Sequence, residues 1–276
     1  MYRFYITFIF LCVTHFAGSL SAQNSSFCAK ADSLFEEKNY RLARVEYERC
    51  FYLSSSQEQS YYALKQKSLC YKALKEYSKA ADILLRVAER YEDFYQVALC
   101  YYLGDDYAKS LEAVAMAEML SDTIKEDIVL IKLLAQNELQ DYDAARLTAK
   151  TLNELHVKSG AKDLLPLIDS LYAELPEKKS ERLAEILSFI PGLGQIYAGE
   201  YLQGFAALGM NAVALGFGVW QIFDKCYITA YVGGVGALSM TYPGAKTSGV
   251  YSAKKYNYKQ SQKFNRLFKT TLIENL

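Results

Sequence analysis

The sequence predicts an all-α protein in two parts, a solenoid of stacked helical hairpins followed by a glycine-rich pair of membrane-spanning helices. Three observations carry this expectation. A Tyr-x-x-small signature recurs between residues 40 and 145. Two uncharged runs, 201–223 and 226–245, are parted only by Asp224 and Lys225. Between these regions the stretch SFIPGLGQIYAGEYLQG, residues 188–204, holds four glycines and a proline between apolar runs.

The chain has 276 residues, 51% hydrophobic and 22% charged, which leaves room for one large domain or two smaller ones. A formal net charge of +0 gives no global field that would draw nucleic acid. Residues 1–22, MYRFYITFIFLCVTHFAGSLSA, read as a secretory signal. Arg3 is the basic head, the apolar run covers Phe4 to Ala17, and small residues lead up to a cut after Ala22. An uncleaved anchor is the alternative. Export would leave Cys28, Cys50, Cys70, Cys100 and Cys226, an odd number without metal-site spacing.

Residues 24–175 are organised by a repeat, with NYRLA, EYSKA, DYAKS and DYDAA placing Tyr40 with Ala43, Tyr77 with Ala80, Tyr107 with Ser110, and Tyr142 with Ala145. The period is about 34 residues. Twelve places before each small residue stand Ala31, Ser68, Ala98 and Leu133, and apolar residues follow it at helical spacing. Leu103-Gly104-Asp105-Asp106 reads as an inter-helix turn. This pattern resembles the tetratricopeptide (TPR) repeat, in which small residues sit where two helices touch. The resemblance implies a groove that holds a peptide or a partner helix, lined by Tyr, Lys and Arg from the first helix of each repeat. Residues 161–175 are expected to close the stack. Cys28 and Cys50 lie eleven residues on either side of Asn39, so a hairpin turning there would face them towards each other. Cys70 and Cys100 share a register position and are expected as packed thiols.

Residues 201–245 are expected to form a transmembrane hairpin, because each uncharged run is long enough to cross a hydrocarbon core of about 30 Å. Gly204, Gly209, Gly216, Gly218, Gly233, Gly234 and Gly236 would let the helices approach closely, with Asn211 facing the partner helix. Residues 246–276 then read as a basic tail, either bound to anionic lipid or solvated. An exported repeat domain with a twice-crossing hairpin puts that tail outside, against the positive-inside tendency. A re-entrant hairpin, a different envelope membrane, or cytoplasmic repeats would each resolve this.

The linker and turn at 176–200 do not fit a nucleotide loop. Gly194 and Gly199 have P-loop spacing, but Glu200 and Tyr201 replace the required Lys and hydroxyl, and a carboxylate there repels phosphate. Gly192-Leu193-Gly194 lacks the third glycine of a dinucleotide fingerprint. What remains is a turn leading into the membrane. A helix from about Glu181 presents Leu183, Ile186, Leu187 and Ile190 on one side and stops before Pro191. Gly192 and Gly194 permit a sharp turn, and Tyr197 and Tyr201 fall where interfacial aromatics anchor a span. The set Pro191, Gly192, Gly194, Gln195, Tyr197, Gly199 and Gly204 resembles a PGxGQxYxG motif of an uncharacterised bacterial envelope membrane domain, and that resemblance implies no activity.

After residue 22 the sequence has one histidine, His156, and no partner arrangement for catalysis. Asp105-Asp106 and Asp141-Tyr142-Asp143 lack metal-loop spacing. The expectation is therefore no enzyme, no cofactor and no metal. The protein is read as an exported, membrane-anchored scaffold of a bacterial cell envelope, with its repeats in the periplasm. Its partners would be a protein or peptide in the groove and membrane lipid at the hairpin and basic tail, with no nucleic acid. The alternative makes the glycine-rich hairpin a homo-oligomerising part of a membrane complex or pore.

Overall fold

The computed structural model describes residues 28–121 and 123–276, and among these every regular element is a helix. The signal-peptide reading of residues 1–22 lies outside the described residues. The chain divides into two compact units between Leu165 and Pro166.

The first unit runs through α1 (28–36), α2 (Tyr40–Leu53), α3 (Gln57–Ala73), α4 (Tyr77–Leu85), α5 (Tyr91–Leu103), α6 (Tyr107–Met119), α7 (Glu126–Glu138) and α8 (Tyr142–Lys158). From α2 onward each helix packs on the next, and α5 also packs on α7. The repeated tyrosine marks a helix start every time, since Tyr40, Tyr77, Tyr107 and Tyr142 are the first residues of α2, α4, α6 and α8. The small residues Ala43, Ala80, Ser110 and Ala145 are completely buried. A larger side chain there would push the paired helices apart. Cys28 and Cys50 form a disulfide, with Cα atoms 5.4 Å apart, tying α1 to α2. Cys70 and Cys100 are buried free thiols.

One turn conformation joins these successive helices. The residue two before each tyrosine, namely Lys38, Lys75, Asp105 and Gln140, has φ of 60, 59, 61 and 61°. The next backbone N–H then donates to the carbonyl five residues back, from Asn39, Glu76, Asp106 and Asp141 at 2.8 to 3.0 Å. That is a Schellman cap, which satisfies the last carbonyls of one helix while aiming the chain into the next. The same turn occurs twice more, in the second unit. Gly199 (φ 88°) precedes Glu200 and Tyr201, and Lys225 (φ 59°) precedes Cys226 and Tyr227, with Glu200 and Cys226 each closing the 2.9 Å bond. Three residues on from these tyrosines stand Gly204 and Ala230, both buried. Twelve before those stand Gly192 and Gly218. The Tyr-x-x-small code thus also operates in the glycine-rich region.

The second unit comprises α9 (Leu165–Ala173, from Pro166), α10 (Glu181–Leu187), α11 (Leu193–Tyr197), α12 (Tyr201–Phe223), α13 (Tyr227–Thr229), a π-helical turn (Ala230–Val235) and α14 (Gly236–Asn275). The last three are continuous. Two boundaries differ from the sequence reading. Helix α9, expected to close the repeats, falls in this unit from Pro166 on, where the Tyr172 ring lies 4.9 Å from that of Phe268 and 5.9 Å from that of Phe264. The stretch expected as a separate basic tail continues α14 without a break. Ala253, Ser261, Phe264, Asn265, Phe268 and Leu272 are buried along one stripe of it, at the three- and four-residue steps of a packed helix face.

Candidate functional site

The motif 191–204 folds as a knot of backbone contacts. Helix α10 is capped by Ser180, whose side chain accepts the Leu183 N–H at 3.2 Å. Beyond the end of α10, Ser188 is fully buried and donates to the Ala184 carbonyl at 2.7 Å. Gly192 then takes φ of 97° and begins α11. A Cβ on Gly192 would run into the Gly204 carbonyl oxygen. A Cβ on Gly194 would strike Ser188 Oγ and lie 2.7 Å from the Ala184 carbonyl and 3.1 Å from Gly249 Cα. Gly249, on α14, meets the same obstacle from the other side. So α10, α11 and α14 meet where only hydrogen atoms fit, and Gly249 is a participant the sequence reading did not single out. Gln195 is buried beside this contact.

The flanks are pinned by polar groups. The Tyr197 phenol oxygen accepts the Ser180 N–H at 3.1 Å, and its carbonyl accepts from Lys179 Nζ at 2.5 Å. That ammonium stands 4.2 Å over the Tyr256 ring. Asn257 exchanges two hydrogen bonds with the Lys179 backbone, at 2.8 and 2.9 Å, fixing the linker to α14. Tyr197, expected at an interface beside Tyr201, is therefore half-buried and occupied with the linker, whereas Tyr201 is exposed. Glu200 pairs with Lys255 at 2.8 Å, and this partner holds its carboxyl below the ordinary value of 4.5. Glu185 and Glu181 face Lys246 and Lys254 at 3.9 and 3.6 Å. Three lysines of the basic stretch thus already have carboxylate partners within the unit.

The pair formed by α12 with the π-turn and α14 is packed inside out. Its inner seam is made of Asn211, Ala214, Gly218, Ala230 and Gly234, while Gly204 packs on α11 at Gly192 and Ile196. At the closest crossing a Cβ on Gly234 would sit 2.6 Å from Gly218 Cα. The Thr241 hydroxyl donates to Asn211 Oδ1 at 2.9 Å, placing Asn211 against the partner helix as its sequence position implied. Large apolar residues point outward: Leu202, Val213 and Phe223 on α12 are 85, 73 and 80% exposed, and Ile228 and Met240 opposite are 83 and 84% exposed. Among the described residues, one helix, Tyr201–Phe223, is long and apolar enough to cross a membrane.

The first unit carries a groove of about 520 Å³ lined mainly by α3, α5 and the start of α7, including Lys65, Lys72, Tyr91 and Tyr95. Its walls are held by tyrosine–aspartate bonds between alternate helices. Tyr62 donates to Asp32 at 2.8 Å, Tyr61 to Asp93 at 2.7 Å, and Tyr91 to Asp127 at 2.7 Å. The repeat anchors do not line this groove, because their small residues are spent inside the hairpins. His156 is buried, with Nδ1 2.7 Å from Glu126 Oε1, a tie between α7 and α8. Comparison of the chain with protein-family models, with curated proteins and with solved structures finds no match.

Proposed function

We propose that the protein is an envelope scaffold: a TPR-like solenoid that holds a protein or peptide in its groove, anchored in a bacterial membrane by the glycine-rich hairpin. The observation that carries the anchor is the inverted packing of α12, where of 23 residues only Gly204, Asn211 and Ala214 are buried. In water, leaving that much apolar surface exposed would cost about 25 cal/mol per Å². In lipid the cost vanishes, and small residues with an interhelical hydrogen bond become the adhesive. The recurrent turns, the buried small residue in each hairpin and the tyrosine-braced groove support the repeat reading. They favour recognition by shape and hydrogen bonding over covalent chemistry. With the repeats exported to the periplasm, anchoring would concentrate the partner at the membrane surface.

In-cell crosslinking of the full chain, followed by identification of the captured proteins, tests the scaffold. A defined partner whose capture falls when Lys72 and Tyr95 are both replaced by Ala supports it. Capture unchanged by that replacement would remove the groove from the account.

A further inference from the structure

We propose that α10 and the turn after it form a docking surface for the bilayer itself, lying in the plane of the membrane with Leu183, Ile186, Phe189 and Ile190 sunk into the headgroup–acyl boundary. This rests on the reading of α12 as a lipid-spanning helix.

Three sides of α10 carry the argument. Ala184 and, just beyond the helix, Ser188 are buried against the α11 and α14 glycines. Glu181 and Glu185 turn towards Lys254 and Lys246. The remaining side carries Leu183, Ile186, Phe189 and Ile190, exposed by 42, 52, 60 and 55%, with the exposed Arg182 one turn before Ile186. A patch of this kind on a short amphipathic segment is a surface that needs covering.

Its height along α14 identifies the cover. The Tyr242 hydroxyl donates to the Phe189 carbonyl at 3.1 Å, and the Lys246 ammonium stands 4.9 Å over the Phe189 ring. Tyr242 belongs to the uncharged run ending at residue 245, and Lys246 is the first charge after it. Phe189 therefore sits at the level where the apolar run gives way to charge, the depth at which interfacial aromatics and snorkelling lysines reside. The patch is continuous in kind with Leu202 and Phe205 at the start of α12, which are exposed as well. In-plane helices bury their apolar side about 5–10 Å into this boundary.

Depth-resolved fluorescence quenching in vesicles of phosphatidylcholine with brominated chains tests the proposal on the full chain. Trp220 is the only tryptophan and reports the spanning helix. In a Trp220→Phe background, Phe189→Trp and, separately, Ile186→Trp report the docking face. Both sites are exposed, and tryptophan keeps the stacking on Lys246. The expected result is strong quenching of both reporters by bromines near the headgroup end of the chain and weaker quenching by bromines near its end. Trp220 quenched with both reporters unquenched overturns the docking surface and leaves the spanning helix standing. Reporters quenched with Trp220 unquenched supports surface docking and removes the span. Reporters shielded from both brominated lipid and aqueous acrylamide would mean that a protein covers the patch, which also overturns the proposal.

Discussion

Replacing Gly192 by Ala tests the backbone knot, because two separable costs meet there. Gly192 has φ of 97°, and a left-handed conformation costs an L-residue about 1–2 kcal/mol. Its Cβ would also collide with the Gly204 carbonyl oxygen, a backbone atom that cannot rotate away. Forcing α11 from α12 in this manner adds a packing cost of about 1–3 kcal/mol. The expected destabilisation of the second unit is about 2–5 kcal/mol. Two glycines separate the terms. Gly199 has φ of 88° but only Lys179 Nζ near its would-be Cβ, at 3.9 Å, so Gly199→Ala should cost the strain alone, about 1–2 kcal/mol. Gly209 is helical with open space around it, so Gly209→Ala should stabilise by about 0.5–1 kcal/mol. Titration of the detergent-solubilised protein with sodium dodecyl sulfate, followed by Trp220 fluorescence, measures all three. Equal losses for Gly192→Ala and Gly199→Ala would refute the collision.

Three further outcomes follow from the first unit. Gln140→Gly should raise its stability by up to about 1 kcal/mol by relieving a φ of 61°, read by thermal unfolding of the variant. Removing the Cys28–Cys50 disulfide, which spans 22 residues, should lower stability by about 3 kcal/mol, read by unfolding with and without reductant. Burial, and then the hydrogen bond to Asp32, push the Tyr62 phenol up to about 12 from 10. A raised value favours the protonated form in the folded state. Its contribution is therefore complete below pH 10 and is lost as pH rises from 10 through about 12. Ultraviolet tyrosinate titration should show Asp32→Asn lowering the two phenols that donate to it, Tyr47 and Tyr62; an unchanged profile would contradict the Asp32 bonds.

Much of the all-α architecture was legible because its local code is local. Tyr-x-x-small marks the helix starts, and the buried Ala43, Ala80, Ser110 and Ala145 are where a repeat register puts them. The same code in GEYLQG and KCYITA is masked by the glycine content and hydropathy of its surroundings, although Tyr201 and Tyr227 carry the same signal. The fate of 246–276 was obscured by its lysines. Their charge suggested a tail, while the helical spacing of Phe264, Phe268 and Leu272 recorded a packed helix. The role of Gly249 was invisible in principle, since its partners Ser188 and Gly194 are brought to it only by tertiary structure. The motif 191–204 reads in the sequence as a turn leading into the membrane; in the structure it lies between α10 and α12, and Tyr197 turns inward because Ser180 and Lys179, remote from any aromatic pattern, engage it.

The central claim is that α12 and its partner hold the chain in a membrane, with the repeats on the periplasmic side. Protease treatment of bacterial cells carrying the full chain, with and without opening of the outer membrane, paired with alkaline carbonate extraction of membranes from the same cells, addresses it. The account predicts that the protein stays with the membrane pellet and that residues 28–158 are digested only once the periplasm is opened. Release of the protein into the carbonate supernatant would contradict it.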